Sequence, residues 1–143
     1  MIFKLPLSQI AHYWPAIKFA AVQAEGVKEE NIPAFSIDLL FNILKEEVLC
    51  LISINEQREI QRLLICTILF DSVLQSKVLF FRTLYGFEKG TPDEWAKESM
   101  QVYNFAKKEN CSVITMTTSN PRIVELAKQY GFSQTSNNFV IKI

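Results

Sequence analysis

The sequence has a single histidine, His12, and only three cysteines, Cys50, Cys66 and Cys111, odd in number and far apart. With no CxxC pair, the ligands of a tetrahedral zinc site are missing. Two of the cysteines fall in apolar, strand-like runs, where a thiol behaves as a small hydrophobe, so a reduced, cytoplasmic protein is expected. Basic runs are missing too. Fifteen Lys and Arg balance fifteen Asp and Glu, and no basic stretch exceeds a pair. That removes the electrostatic footprint of a nucleic-acid or anionic-membrane partner. No stretch approaches the roughly 18 uninterrupted apolar residues of a membrane span, and the apolar run in MIFKLPLSQ is too short for a signal peptide.

What is present describes a compact globule. Hydrophobic residues make up 49% of the 143 and charged residues only 21%, outside the range of disordered chains. A chain of this length can bury about two thirds of its unfolded surface without a disulfide or metal. No internal repeat or linker interrupts it, so one domain over 1–143 is expected.

The organising stretch is Val78 to Phe132. Val78–Tyr85 is rich in aromatic and β-branched residues and predicts a strand. Thr91-Pro92-Asp93-Glu94 is a helix start, with Thr at the cap, Pro in the first turn and Glu three residues after the cap. Ala96, Ser99, Met100, Val102, Tyr103 and Ala106 are expected on the inner side of that helix, with Lys97, Gln101, Asn104 and Lys108 on the wet side. Asn110 suits a left-handed stop. A strand over Cys111–Thr118 follows, and Asn120-Pro121 repeats the cap-and-proline start. Ile123, Leu126, Ala127 and Tyr130 should face inward, and Gly131 should close the helix. Strand, helix and strand of these lengths form a right-handed crossover. An anionic ligand would sit where its helix begins.

Upstream, Ile2–Leu5 predicts a strand. Pro15 in a helix interior would cost about 3 kcal/mol, so a turn over Ser8–Tyr13 and a helix from Trp14 to Ala24 are expected, with Ile10, Trp14, Ile17, Ala21 and Ala24 as its apolar positions and Gly26 as its stop. A second helix begins at Pro33, with Phe35, Leu39 and Ile43 on one stripe. Val48–Ile54 reads as a strand, Asn55–Gln61 as a hairpin turn, and Leu63–Phe70, apolar on both faces, as a central strand. Phe139–Ile143 predicts a last strand.

The order strand, two helices, three antiparallel strands, helix, strand, helix, strand resembles the GNAT superfamily of N-acetyltransferases. Asn120, Leu126, Gly131 and Phe132, at the spacing N-x5-L-x4-GF, carry the residue-level likeness. Trp14-Pro15, Glu94-Trp95 and Asn110-Cys111 add a likeness to short GNAT-like proteins of tailed bacteriophages. The resemblance implies an α/β domain with a mixed, mainly antiparallel sheet flanked by helices. It implies an N-acyltransferase using acetyl-CoA and an amine substrate, or a non-catalytic phage protein whose partner is a virion or host protein. Two departures stand out. The family's [RQ]-x-x-G-x-[GA] phosphate loop fits Gly86 and Gly90 in no register, and the family's acidic Tyr, seven residues after Asn120, is here Ala127.

Each candidate site residue has a structural reading beside the functional one. Lys89, Gly90 and Thr91 are the cofactor-binding candidates, although Thr91, Pro92 and Glu94 also suit a self-capped helix, and Asp93 and Glu94 repel an anion. Asn120 is a cap or a catalytic group, Tyr130 a rim aromatic or an acid, and Tyr103 a core or rim aromatic. Glu47 and Glu56 lie near a central strand, where a general base could stand. His12 is packed or solvated, and Cys111 is structural.

Overall fold

The computed structural model describes residues 1–136 and 139–143. Five strands form one sheet in the order β1-β2-β3-β4-β5: Ile2–Lys4, Leu49–Ile54, Ile60–Asp71, Ser76–Gly86 and Val113–Met116. The first four are antiparallel neighbours, and β5 pairs parallel to β4 from Val78↔Val113 to Phe81↔Met116. The expected α/β architecture with a mixed sheet is therefore the one observed. Four α-helices accompany it: α1 Ile10–Glu25, α2 Ile32–Leu44, α3 Pro92–Lys108 and α4 Pro121–Gln129. None of the described helices is long and apolar enough to cross a membrane.

The sheet separates two cores. On one face Tyr13, Ile17, Ala20 and Ala21 of α1 and Leu39 and Ile43 of α2 pack on Cys50, Ile52, Leu63 and Ile65. On the other, Val102 and Ala106 of α3 pack with Cys111 on Leu51, Leu64, Cys66 and Leu79. Alternation along β3 sends Leu63 and Ile65 one way and Leu64 and Cys66 the other, as a strand buried on both faces requires.

Four local expectations change. The first is α1, which starts at Ile10 and carries Pro15 inside it. Pro15 lies on the exposed face, and the carbonyl left without its amide belongs to Ala11, also exposed; water can hydrate it, which lowers the interior cost of proline. Tyr13 and Ala20 are buried in this helix, whereas Ala24 is exposed. The second is the inner face of α3, which is Glu98, Val102 and Ala106, with Met100 and Tyr103 more than half exposed. The third is Tyr130, which is exposed past the last turn of α4. The fourth is the last strand. Phe139, Val140, Ile141 and Ile143 stand in solvent without strand structure. β5, at the sheet edge, is four residues long instead of eight, and a five-residue segment without a ladder partner does not hold a strand by itself.

The stops behave as read: Gly26 (φ 62°), Asn110 (φ 62°) and Gly131 (φ 91°) are all left-handed. The three thiols are free and buried. Desolvation pushes Cys50 and Cys66 from an ordinary value of 9.0 up to about 12, and raises Cys111 as well. The native state thus holds these protons more tightly than the unfolded chain. The stability that Cys50 and Cys66 contribute is complete below about pH 9 and declines as pH rises toward 12, by up to about 1.4 kcal/mol per pH unit for each of the two. Urea titrations at pH 7, 9 and 10.5 should show this fall, and Cys50→Ala/Cys66→Ala should flatten it. A thiol reagent at pH 8 should label none of the three quickly in the native protein and all three in urea.

Candidate active site

The parallel pair gathers several features at one end of the sheet. β4 and β5 run the same way, so the chain leaves both at the same end, and α3 and α4 both begin there. Carboxyl ends of parallel strands are where α/β folds place ligands. Strand pairing stops at Phe81↔Met116 although β4 continues to Gly86. From Arg82 onward no strand among the described residues pairs with the β5-side edge of β4, which leaves an open strand edge there.

The parting coincides with a bulge. Thr83 pairs with Ile65 and Phe81 with Cys66, which leaves Arg82 as the extra residue on β4. Consecutive strand side chains normally point to opposite faces, and a bulge breaks that rule. Here Arg82 and Thr83 both reach Glu25 at the end of α1: Arg82 Nε donates to Oε1 at 3.2 Å and Thr83 Oγ1 to Oε2 at 2.9 Å. The Arg82 guanidinium also lies over the Phe35 ring, 5.6 Å from its centroid. One carboxylate thereby ties the α1 end to the bulge.

A second bulge, at Gln61 on β3, anchors the segment between β4 and α3. The Gln61 carbonyl accepts from Phe87 N at 2.8 Å and Glu88 N at 3.3 Å. Glu88 in turn accepts from Asn55 Nδ2 at 2.8 Å and Gln61 Nε2 at 3.0 Å. These two hydrogen bonds hold its carboxyl below the usual range.

Beneath the segment lies Arg62, 2% exposed. Its Nε and Nη2 donate to the two oxygens of Glu98, the latter at 2.7 Å, and Nη2 also reaches Glu94 Oε2 at 3.2 Å. Hydrogen bonding to Glu98 raises the Arg62 pKa despite burial. Nη1 has no acceptor. The Trp95 ring stacks near the guanidinium, 5.5 Å from its centroid. Gly90 fits between them with nothing to spare, since a Cβ there would stand 2.9 Å from Trp95 Nε1 and 3.1 Å from Arg62 Nη1.

The start of α3 is capped from within. Thr91 Oγ1 accepts from Glu94 N at 3.2 Å, and Pro92 has no amide, so the first turn offers at most the amides of Thr91 and Asp93. Asn120 likewise caps α4, its Oδ1 accepting from Arg122 N at 3.0 Å.

The candidate residues scatter around this end. Lys89, Gly90 and Thr91 border it, with Gly90 close against Trp95 and Arg62 and the Thr91 hydroxyl engaged. Asn120 is also at this end, as a cap. Tyr130 is the residue after the last of α4, about 15 Å along the helix from Asn120. Glu56 is in the β2–β3 turn, at the same end but on the far side of β3. Glu47 is at the opposite end, 3.5 Å from Lys45 Nζ, and lines a surface groove of about 260 Å³ with Lys4, Leu49 and Glu109. His12 packs edge-on to Tyr13, with ring centroids 4.7 Å apart. Among the described residues no cluster of His, Cys, Asp or Glu could hold a metal.

Arg62, Glu98, Glu25 and both bulges escaped the sequence reading. The one local signal was a lone arginine beginning an apolar run, Arg62-Leu-Leu-Ile-Cys.

No family model and no curated protein matches the sequence. Solved structures match its fold. The ribosomal-protein-alanine N-acetyltransferase of Brucella melitensis superposes with a TM-score of 0.73 at 16% identity, covering 100% of this chain and 99% of that one. AAC(6')-Iy, solved with the bisubstrate analogue CoA-S-monomethyl-acetylneamine, gives 0.69 at 15% over 100% and 97%. A transcriptional regulator from Bacillus halodurans gives 0.72 at 14% over 100% and 99%. The fold is that of the GNAT acetyltransferases.

The buried pair yields a stability prediction. Glu98→Ala strands the Arg62 charge and should cost about 3–5 kcal/mol, whereas Arg62→Met/Glu98→Leu should recover most of it. Gly90→Ala should lower the melting temperature too, because the added Cβ forces Trp95 or the Glu98-bound Arg62 guanidinium to shift. Calorimetric unfolding of the variants checks both.

Proposed function

We propose that the protein is an N-acyltransferase that takes its acyl group from a coenzyme A thioester. The observation that carries this reading is the parting of β4 and β5 at the Arg82 bulge, in a fold shared with acetyltransferases. The exposed edge of β4 supplies backbone amides and carbonyls in a row, matched to an extended, amide-bearing thioester arm. An amine on the α1–α2 side would meet the thioester carbonyl above the bulge. Its nitrogen lone pair forms the new C–N bond, the C–S bond breaks, and the proton lost from nitrogen ends on the released thiol. No acid–base residue is assigned: Tyr130 and Glu47 lie away from the bulge, and Asn120 and Thr91 act as caps. Rate enhancement would rest on holding amine and thioester together.

A second reading is favoured by the start of α3. A helix N-terminus that satisfies its own amides and carries Asp93 and Glu94 receives a diphosphate poorly. Under this reading the chain keeps the fold without the reaction and serves as a non-catalytic protein, such as a virion or host-interaction component of a phage. The fold's presence in a transcriptional regulator is compatible with it.

Calorimetric titration and thermal unfolding with acetyl-CoA separate the two. A donor at a hundredfold its dissociation constant should stabilise the protein by about 2.7 kcal/mol. A flat titration with no change in melting temperature at millimolar acetyl-CoA overturns the enzyme reading and leaves the second.

A further inference from the structure

The two ends of the proposed donor meet very different surfaces. The thioester arm is uncharged and meets an open strand edge. The nucleotide diphosphate would meet the segment from Glu88 to Glu94. We propose that this protein selects its donor by the acyl-pantetheine arm alone, and that the nucleotide and its phosphates contribute nothing to recognition. This inference rests on the acyltransferase reading and specifies its substrate class: acyl-pantetheine thioesters, whatever the arm is attached to.

Three independent features support it. The first turn of α3 offers few donors, since Pro92 has no amide and Thr91 Oγ1 occupies that of Glu94. Space is scarce as well. A Cβ at Gly90 would meet Trp95 Nε1 and Arg62 Nη1, so the segment lies close over the ring and the buried ion pair. Charge is adverse: Glu88, Asp93 and Glu94 surround the segment. The charge of the buried cation beneath, Arg62, is matched by Glu98 and Glu94, although its Nη1 has no acceptor; within the segment itself Lys89 is the cation, among Glu88, Asp93 and Glu94. A diphosphate would bring at least two more negative charges to that surface. The β4 edge past Phe81 lacks these obstacles, because no described strand pairs with it beyond Met116.

The test compares S-acetyl-pantetheine, which has no phosphate, with acetyl-CoA by calorimetry on the intact protein, alongside Lys89→Ala and Asp93→Asn/Glu94→Gln. Thr91 keeps the cap in the double variant. The expected result is dissociation constants within about threefold of one another for the two donors, no change in Lys89→Ala, and several-fold tighter binding of acetyl-CoA, but not of S-acetyl-pantetheine, in the double variant. Acetyl-CoA binding tenfold or more tighter than S-acetyl-pantetheine in the wild type overturns the inference and leaves the acyltransferase reading standing. A tenfold loss of acetyl-CoA affinity in Lys89→Ala does the same. If neither thioester binds, the acyltransferase reading fails and this inference with it.

Discussion

The structure turns on a buried ion pair between Arg62 of β3 and Glu98 of α3. A guanidinium on the inner face of a central strand must be neutralised where it stands, because leaving it unmatched in an apolar layer costs several kcal/mol. Glu98 answers it with both oxygens, and doing so fixes the rotation of α3. Val102 and Ala106, one and two turns on from Glu98, then become the face that fills the second core. Trp95, one turn earlier, closes over the guanidinium and over Gly90. A single electrostatic requirement thus sets the helix face, the tightness of the preceding segment and the shape of the surface at the start of α3.

The other constraint is geometric. A parallel pair that shares four positions and then separates leaves a strand edge exposed on one side of the break. The Arg82 bulge lies at that break, and it turns two neighbouring side chains to the same face so that both can hold Glu25. The helix that covers one face of the sheet is therefore tied to the place where the sheet opens. Such an edge is open to an amide-bearing arm, whereas the neighbouring helix start is occupied by its own cap and its own charges. The functional reading follows from this contrast between two adjacent surfaces.

Much of the fold was legible from local chemistry. Thr91-Pro92 and Asn120-Pro121 start helices because a side-chain oxygen and a missing amide satisfy the first turn whatever lies beyond. Gly26, Asn110 and Gly131 end helices because those residue types tolerate a left-handed backbone. Leu63–Phe70 was recognisable as central from its apolar run, although only Leu63–Cys66 is buried on both faces and Leu69 and Phe70 are exposed. The site was far less legible. Glu98 shares a helical face with Val102 and Ala106, which were expected inside, but a carboxylate gives no local reason for burial, and Met100 and Tyr103 were expected inside instead. Arg62, 36 positions away, reverses that assignment. Pro15 was expected to delay α1, yet the carbonyl it leaves open faces water.

The sequence by itself determined where most elements begin and end and the order in which they follow, since each depends on residues within a few positions of one another. Tertiary structure decided which face of α3 is buried, where β4 and β5 separate, which carboxylate meets which guanidinium, and that Phe139–Ile143 stays outside the sheet. Those outcomes depend on pairing register and on the desolvation of charges far apart in the chain, and neither is encoded in any short window of residues.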